Sequence, residues 1–183
     1  MVTAIHGPVV EGARPAFYGV HRTYLARRAD GVMWKAGADQ DVIEAKKVWG
    51  CQKGGFMRIW SGLGPQGGKG PSLSRARQGD RVYVTEGIED ALSVAVLKPY
   101  ARVLAAISVE NFREITLPPT VTHVTLVADN DPGAQAQAAL EKAVLRLAQS
   151  GPNGRHVTVW RNEHGGKDHN DALLLADQAE GVA

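Results

Sequence analysis

The chain has 183 residues, 44% of them hydrophobic, enough for one packed α/β domain with a small appendage and too few for two full enzymatic domains. It contains no apolar run of about twenty residues and no secretory leader, which predicts a soluble, cytoplasmic chain with no membrane partner. A single cysteine, Cys51, excludes an internal disulfide and a multi-cysteine zinc site, and the modest net charge of +2 conceals an uneven distribution.

Residues 1–80 hold 12 Lys and Arg against 6 Asp and Glu, whereas residues 81–183 hold 9 against 13, so the halves carry +6 and −4. A basic front joined to an acidic back suggests a polyanion grip beside a metal site, with ordinary scatter of surface charge as the plain alternative. In chain order, residues 1–16 carry Gly7-Pro8, Gly12 and Pro15 without periodicity and predict an N-terminal arm. Phe17, Val20, Tyr24 and Leu25 predict a strand, residues 27–31 a turn, and residues 32–34 a segment that pairs back. Residues 39–48 predict a short helix or polar connection, and residues 51–60 a hairpin with Lys53-Gly54-Gly55 at its tip.

Residues 17–78 are therefore expected to form a small, basic, β-rich subdomain ending in a Gly/Pro-rich linker over residues 61–74. His21, Arg22, Arg27, Arg28, Lys46, Lys47, Lys53 and Arg58 lie among its aromatics, and Lys69 adds charge in the linker. That mixture holds phosphates and stacks bases in single-strand binders; its ordinary alternative is a solvated strand face over an aromatic core. Gly62-Leu63-Gly64-Pro65-Gln66-Gly67 matches a dinucleotide fingerprint in letters only, because no helix can open at Gly68-Lys69-Gly70-Pro71.

From residue 79 the pattern changes. Residues 81–85 are a β-branched strand ending at Glu86-Gly87, residues 89–97 have helical spacing stopped by Pro99, and residues 101–107 form another apolar strand. Residues 121–128 then lead into Asp129-Asn130-Asp131 and a long helix, residues 156–160 form a further strand, and a last helix begins at Lys167. The alternation predicts a mostly parallel sheet with helices on both faces, and a ligand crevice beyond the carboxyl ends of its strands, where Glu86, Asp129 and Asp131 converge. Asp129 and Asp131, two apart in extended chain, point the same way and can share one hard cation such as Mg²⁺. Asp131, just before Pro132, equally suits a helix N-cap, and Glu89 and Asp90 suit the positive end of a helix dipole. His164 and His169 fit no standard zinc spacing without cysteines.

Thr85-Glu86-Gly87-Ile88-Glu89-Asp90-Ala91, the later Asp129-Asn130-Asp131, and Gly166-Lys167-Asp168-His169-Asn170-Asp171 together resemble the TOPRIM domain of bacterial primases, topoisomerases and some nucleases. Residues 19–25 and 53–59 resemble the segment that precedes it in phage and plasmid primases. The resemblance implies a TOPRIM-type, Rossmann-like domain over residues 79–183. It also implies Glu86 as general acid/base or metal ligand, and Asp168 as a second-metal ligand, a role with which helix N-capping competes. The implied activity is that of a DNA primase-like nucleotidyltransferase, joining nucleotides on a single-stranded DNA template with Mg²⁺ or Mn²⁺. Its implied partners are nucleoside triphosphates and a replicative helicase. No zinc is expected, since the zinc module usual in full primases needs cysteines that this chain lacks. A metal-dependent nuclease and a non-catalytic nucleic-acid-binding accessory are the alternatives on the same fold.

Overall fold

The computed structural model describes residues 1–8, 16–27, 29, 31, 33–36, 45–130, 133–163, 166–171 and 173. In chain order the strands are β1 (Val2–His6), β2 (Phe17–Thr23), β3 (Leu25–Arg27), β4 (Met33–Lys35), β5 (Lys46–Gly50), β6 (Phe56–Trp60), β7 (Asp80–Thr85), β8 (Arg102–Ala105), β9 (Val121–Ala128) and β10 (His156–Arg161). Helix α1 (Ile88–Leu97) follows β7 and α2 (Ala134–Ala148) follows β9; two 3-10 turns cover Leu73–Arg75 and Val109–Arg113. Eight strands form one sheet in the order β10-β9-β7-β8-β6-β1-β2-β5, and β3 pairs with β4 separately.

The β10-β9-β7-β8 half is parallel, as crossover connections through helices require, while β8-β6-β1-β2-β5 is antiparallel throughout. Alternation along the strands sends side chains to two cores. Val82, Val84, Leu104, Val124 and Leu126 pack with Leu140, Ala143 and Leu147 of α2, and with Phe112 and Phe56. On the other face Val103, Ala105 and Val127 pack with Ile88, Ala91 and Val94 of α1, and with Ile5 and Met57. The α/β class and the helix on each face are therefore as expected. Each fully buried Val, Leu or Ile contributes roughly 1.5–3 kcal/mol, so both helices are held by their apolar stripes.

The front of the chain differs from expectation in three places. Residues 1–16 are not simply an arm: Val2–His6 is an inner strand with β6 on one side and β2 on the other, and Ile5 is fully buried. Residues 51–60 are not a hairpin, because β5 and β6 stand at separate positions with β1 and β2 between them. Local spacing pairs neighbours in sequence, whereas here the terminal strand takes the place beside β6. Lys46–Val48, expected in a helix or connection, belongs to β5; residues 37–44 lie outside the described residues. Between β6 and β7 the Gly/Pro-rich stretch folds on itself, with Gly64 N–H donating to Gly68 O at 3.0 Å and Gly70 N–H to Gly62 O at 2.7 Å.

Candidate active site

Glu86 closes β7, and the backbone around it is tied down from three sides. Thr85 Oγ1 donates to Gly87 O at 2.7 Å, Ala106 N–H to Thr85 O at 2.9 Å and Ile107 N–H to Glu86 O at 2.9 Å. Ile107 holds this last bond at φ 78°, a left-handed conformation that a β-branched residue adopts only at a cost on the order of 1–3 kcal/mol. The Glu86 carbonyl is thus fixed by a strained neighbour. Its carboxyl group stands at the rim, and its pKa is raised by desolvation first and then by the Asp129 and Glu110 charges; Lys46 and Lys167 oppose the rise.

Asp129 leaves the end of β9. Its carbonyl accepts from the Arg161 guanidinium, which also donates to Gln137 Oε1 at 2.9 Å, and its carboxylate faces Lys167 Nζ at 3.7 Å. The neighbouring Asn130 ties the strand end to the third acidic segment: its Nδ2 donates to Asn162 O at 2.8 Å and Gly166 O at 3.0 Å. Asp168 stands just before the helical turn at residues 169–171. Its Oδ1 accepts Asp171 N–H at 2.9 Å, while Asp171 Oδ2 accepts Lys167 N–H at 2.9 Å, a reciprocal cap close to a capping box. Capping therefore occupies one Asp168 oxygen. Asp131, like Arg28 and His164, lies outside the described residues.

A fourth acid belongs to this rim, one that sequence reasoning assigned to the helix dipole alone. Asp90, in the first turn of α1, has its pKa raised to about 7 by burial and by the Asp168 and Asp129 charges, against the pull of the His169 and Asn170 backbone N–H groups. Its Oδ1 is buried without a hydrogen-bond partner among the described residues. A signal was present in the sequence: helical spacing sets Asp90 on the face of Ser93 and Val94, both buried.

Four carboxylates thus gather where β7 and β9 end, the Asp129 charge adding to burial in raising the pKa of both Glu86 and Asp90, and the Asp168 charge adding to it at Asp90. Among the described residues no three His, Cys, Asp or Glu side chains close around one point tightly enough to enclose a metal. Mg²⁺ does not need such a cage, since it keeps several waters and takes one or two carboxylates. All-oxygen donors, mutual repulsion and an unpartnered buried oxygen at Asp90 fit a hydrated divalent cation.

The basic residues divide between the two faces. Lys46 Nζ pairs with Glu89 Oε2 at 2.9 Å, with Lys35 Nζ at 4.0 Å from the other oxygen, on the side of the acid rim. His21 lies on that face, 5% exposed, and burial followed by the Lys46 charge lowers its pKa. Nearly out of solvent, the His21 ring presents little surface to a nucleic-acid strand. Arg22 and Lys47 stand directly opposite each other across β2 and β5, both exposed, with Trp49 beside Lys47 at 72% exposure. Nothing in a free sheet favours facing like charges. Arg27 donates to Gly31 O at 3.3 Å, and Lys53 and Lys69 are exposed on loops. Arg58 is partly buried in the inner strand β6.

Asn111 links the front of the chain to this region. It is 6% exposed; its Nδ2 donates to Gly55 O and Ala106 O at 2.7 Å each, and its Oδ1 accepts Gly54 N–H at 2.8 Å. Among the described residues no helix is long and apolar enough to cross a membrane.

A family model described as "Toprim domain" matches residues 81–178. The chain is also similar to a solved structure described as "Crystal structure of a DNA primase domain from Pseudomonas aeruginosa", with 16% identity and a TM-score of 0.42, over 97% of this chain and 55% of that one. The chain thus spans about half the length of that structure's chain. No curated protein matches.

Proposed function

Because the chain belongs to the Toprim domain family, we propose that it is a metal-dependent nucleotidyltransferase of the primase kind, joining nucleotides on a single-stranded DNA template. The observation that carries this reading is the rim of Glu86, Asp90, Asp129 and Asp168, whose charges act on one another at the carboxyl ends of parallel strands. Mg²⁺ or Mn²⁺ would be held by Asp129 with Asp90, Asp131 and the second carboxylate oxygen of Asp168, and when bound supplies positive charge to transferring phosphates.

The chain's own groups do the rest. Glu86, with its raised pKa, accepts the proton of the attacking 3′-hydroxyl, a role that in general-base catalysis contributes typically 10²–10⁴-fold. Lys167 and Lys46 place positive charge beside the acids and orient phosphate oxygens. Arg22, Lys47 and Trp49 offer an exposed strip of charge and aromatic surface suited to a single strand, where facing like charges gain from a polyanion between them.

Incubation with single-stranded DNA, nucleoside triphosphates and Mg²⁺ or Mn²⁺ tests the proposal. Metal-dependent oligomers that Asp129→Ala abolishes are the expected result. Cleavage of the strand without synthesis, or binding alone, would replace it by the hydrolytic or the accessory reading.

A further inference from the structure

Beneath the folded Gly/Pro-rich stretch lies a cavity of about 260 Å³ bordered by Arg58, Trp60, Ser61, Lys69, Ser72 and Arg102, among others, with no acidic residue in its wall. Arg102 is already satisfied, donating to Pro71 O at 2.6 Å and to Asp80 Oδ2 at 3.3 Å. Arg58 is not. Its Nε and Nη2 are shut away from water with no hydrogen-bond partner among the described residues, and Ser61 Oγ is in the same condition. Those two nitrogens form one edge of the guanidinium, the pair of parallel N–H groups that takes two oxygens of a single phosphate or carboxylate.

A guanidinium edge shut away from water without a counter-charge is costly, and proteins rarely keep one unless something arrives to meet it. Burial alone lowers the Arg58 pKa, the mark of a charge that no carboxylate offsets. His6, across the β1-β6 pairing, is no substitute: burial and then the Arg58 charge lower its own pKa. Lys69 brings a second positive charge and Ser61 a hydroxyl, whereas the acid rim draws on the other end of β7, beyond Thr85.

We infer that Arg58, Ser61 and Lys69 form an anion seat separate from the acid rim, and that it takes a tetrahedral phosphate group. The same phosphate chemistry comes from two sources, the backbone of a nucleic-acid strand and the phosphate end of a free nucleotide. Neither needs the divalent ion, so the seat does not depend on the activity proposed above.

The test is thermal unfolding and calorimetric titration of the full chain in chelator, with inorganic phosphate, ATP and a short deoxythymidine oligonucleotide as separate ligands. Inorganic phosphate should stabilise the wild type saturably. Arg58→Met, which keeps the stem and removes the unmatched charge, and Lys69→Met should each weaken phosphate binding, Arg58→Met by tenfold or more. Glu86→Gln should leave it unchanged, which separates failure here from failure at the acid rim. Competition of phosphate with ATP identifies the nucleotide as the source; competition with the oligonucleotide alone identifies the strand. Ser61→Ala is the control should Arg58→Met fail to fold, and it should weaken binding severalfold. No stabilisation of the wild type by phosphate, or an equal response in Arg58→Met or in Ser61→Ala, would overturn the inference.

Discussion

Asp90→Asn isolates the electrostatic strain of the acid rim. In the folded chain this carboxyl keeps its proton to about pH 7, whereas the unfolded chain releases it near 3.8. Between those values the folded state binds more protons, so stability falls as pH rises through the window and levels off above it. At about 1.4 kcal/mol per pH unit the full penalty approaches about 4 kcal/mol, and residual solvent contact reduces it to roughly 2–3 kcal/mol. Asparagine keeps the shape and the acceptor for the His169 and Asn170 N–H groups but cannot ionise. Urea unfolding in chelator at about pH 4 and about pH 8 should find the variant close to wild type at the lower pH. At the higher pH it should be more stable by that amount. Added Mg²⁺ should then stabilise the wild type at about pH 8 more than the variant, since only the wild type has the charge for it to relieve. If the two proteins show the same pH dependence, Asp90 ionises as an ordinary carboxylate and the reasoning from burial and neighbouring acids is wrong.

Glu86→Gln should lower nucleotide joining by about 10²–10⁴-fold with little change in strand affinity, read as kcat against KM. Since Glu110 is among the charges that raise the Glu86 pKa, Glu110→Gln should move the acid limb of the kcat/KM profile to lower pH; an unmoved or upward-shifted limb would remove Glu86 as the base. Replacing Lys47 with Met should lower the salt dependence of single-strand binding, the slope of log K against log salt falling by about 0.7. Asn111→Ala removes three hydrogen bonds, two of them buried and one partly so, and should cost about 2–4 kcal/mol in urea unfolding, with loss below about 1 kcal/mol showing that water replaces them.

The back of the chain was legible because its signals are local. Residues 81–85 and 121–128 are apolar runs ending in acids, and those acids fall where ends of parallel strands must lie. β1 was not legible, because five residues before a Gly-Pro pair carry no period of their own; Ile5 is buried by partners about fifteen and fifty residues away. The hairpin expected over residues 51–60 failed for the same reason, since adjacency in sequence said nothing of β1 and β2, which stand between β6 and β5. Asp90 was passed over because helix-dipole placement explains an aspartate in a first turn without reference to Asp168, which lies far along the chain. The capping role of Asp168, by contrast, could be read from Asp168 and Asp171 alone.

The direct ladder between β6 and β8, with Met57 opposite Ala105 and Arg58 opposite Leu104, makes the basic strands and the acidic strand ends parts of one hydrogen-bonded fabric. Spacing across such a fabric is set by strand separation of about 4.8 Å, not by a linker's reach. A nucleic acid lying over it would meet a gauge of constant length. Any stepwise advance would then have to come from the strand slipping along the gauge, one nucleotide at a time, while the protein keeps its shape.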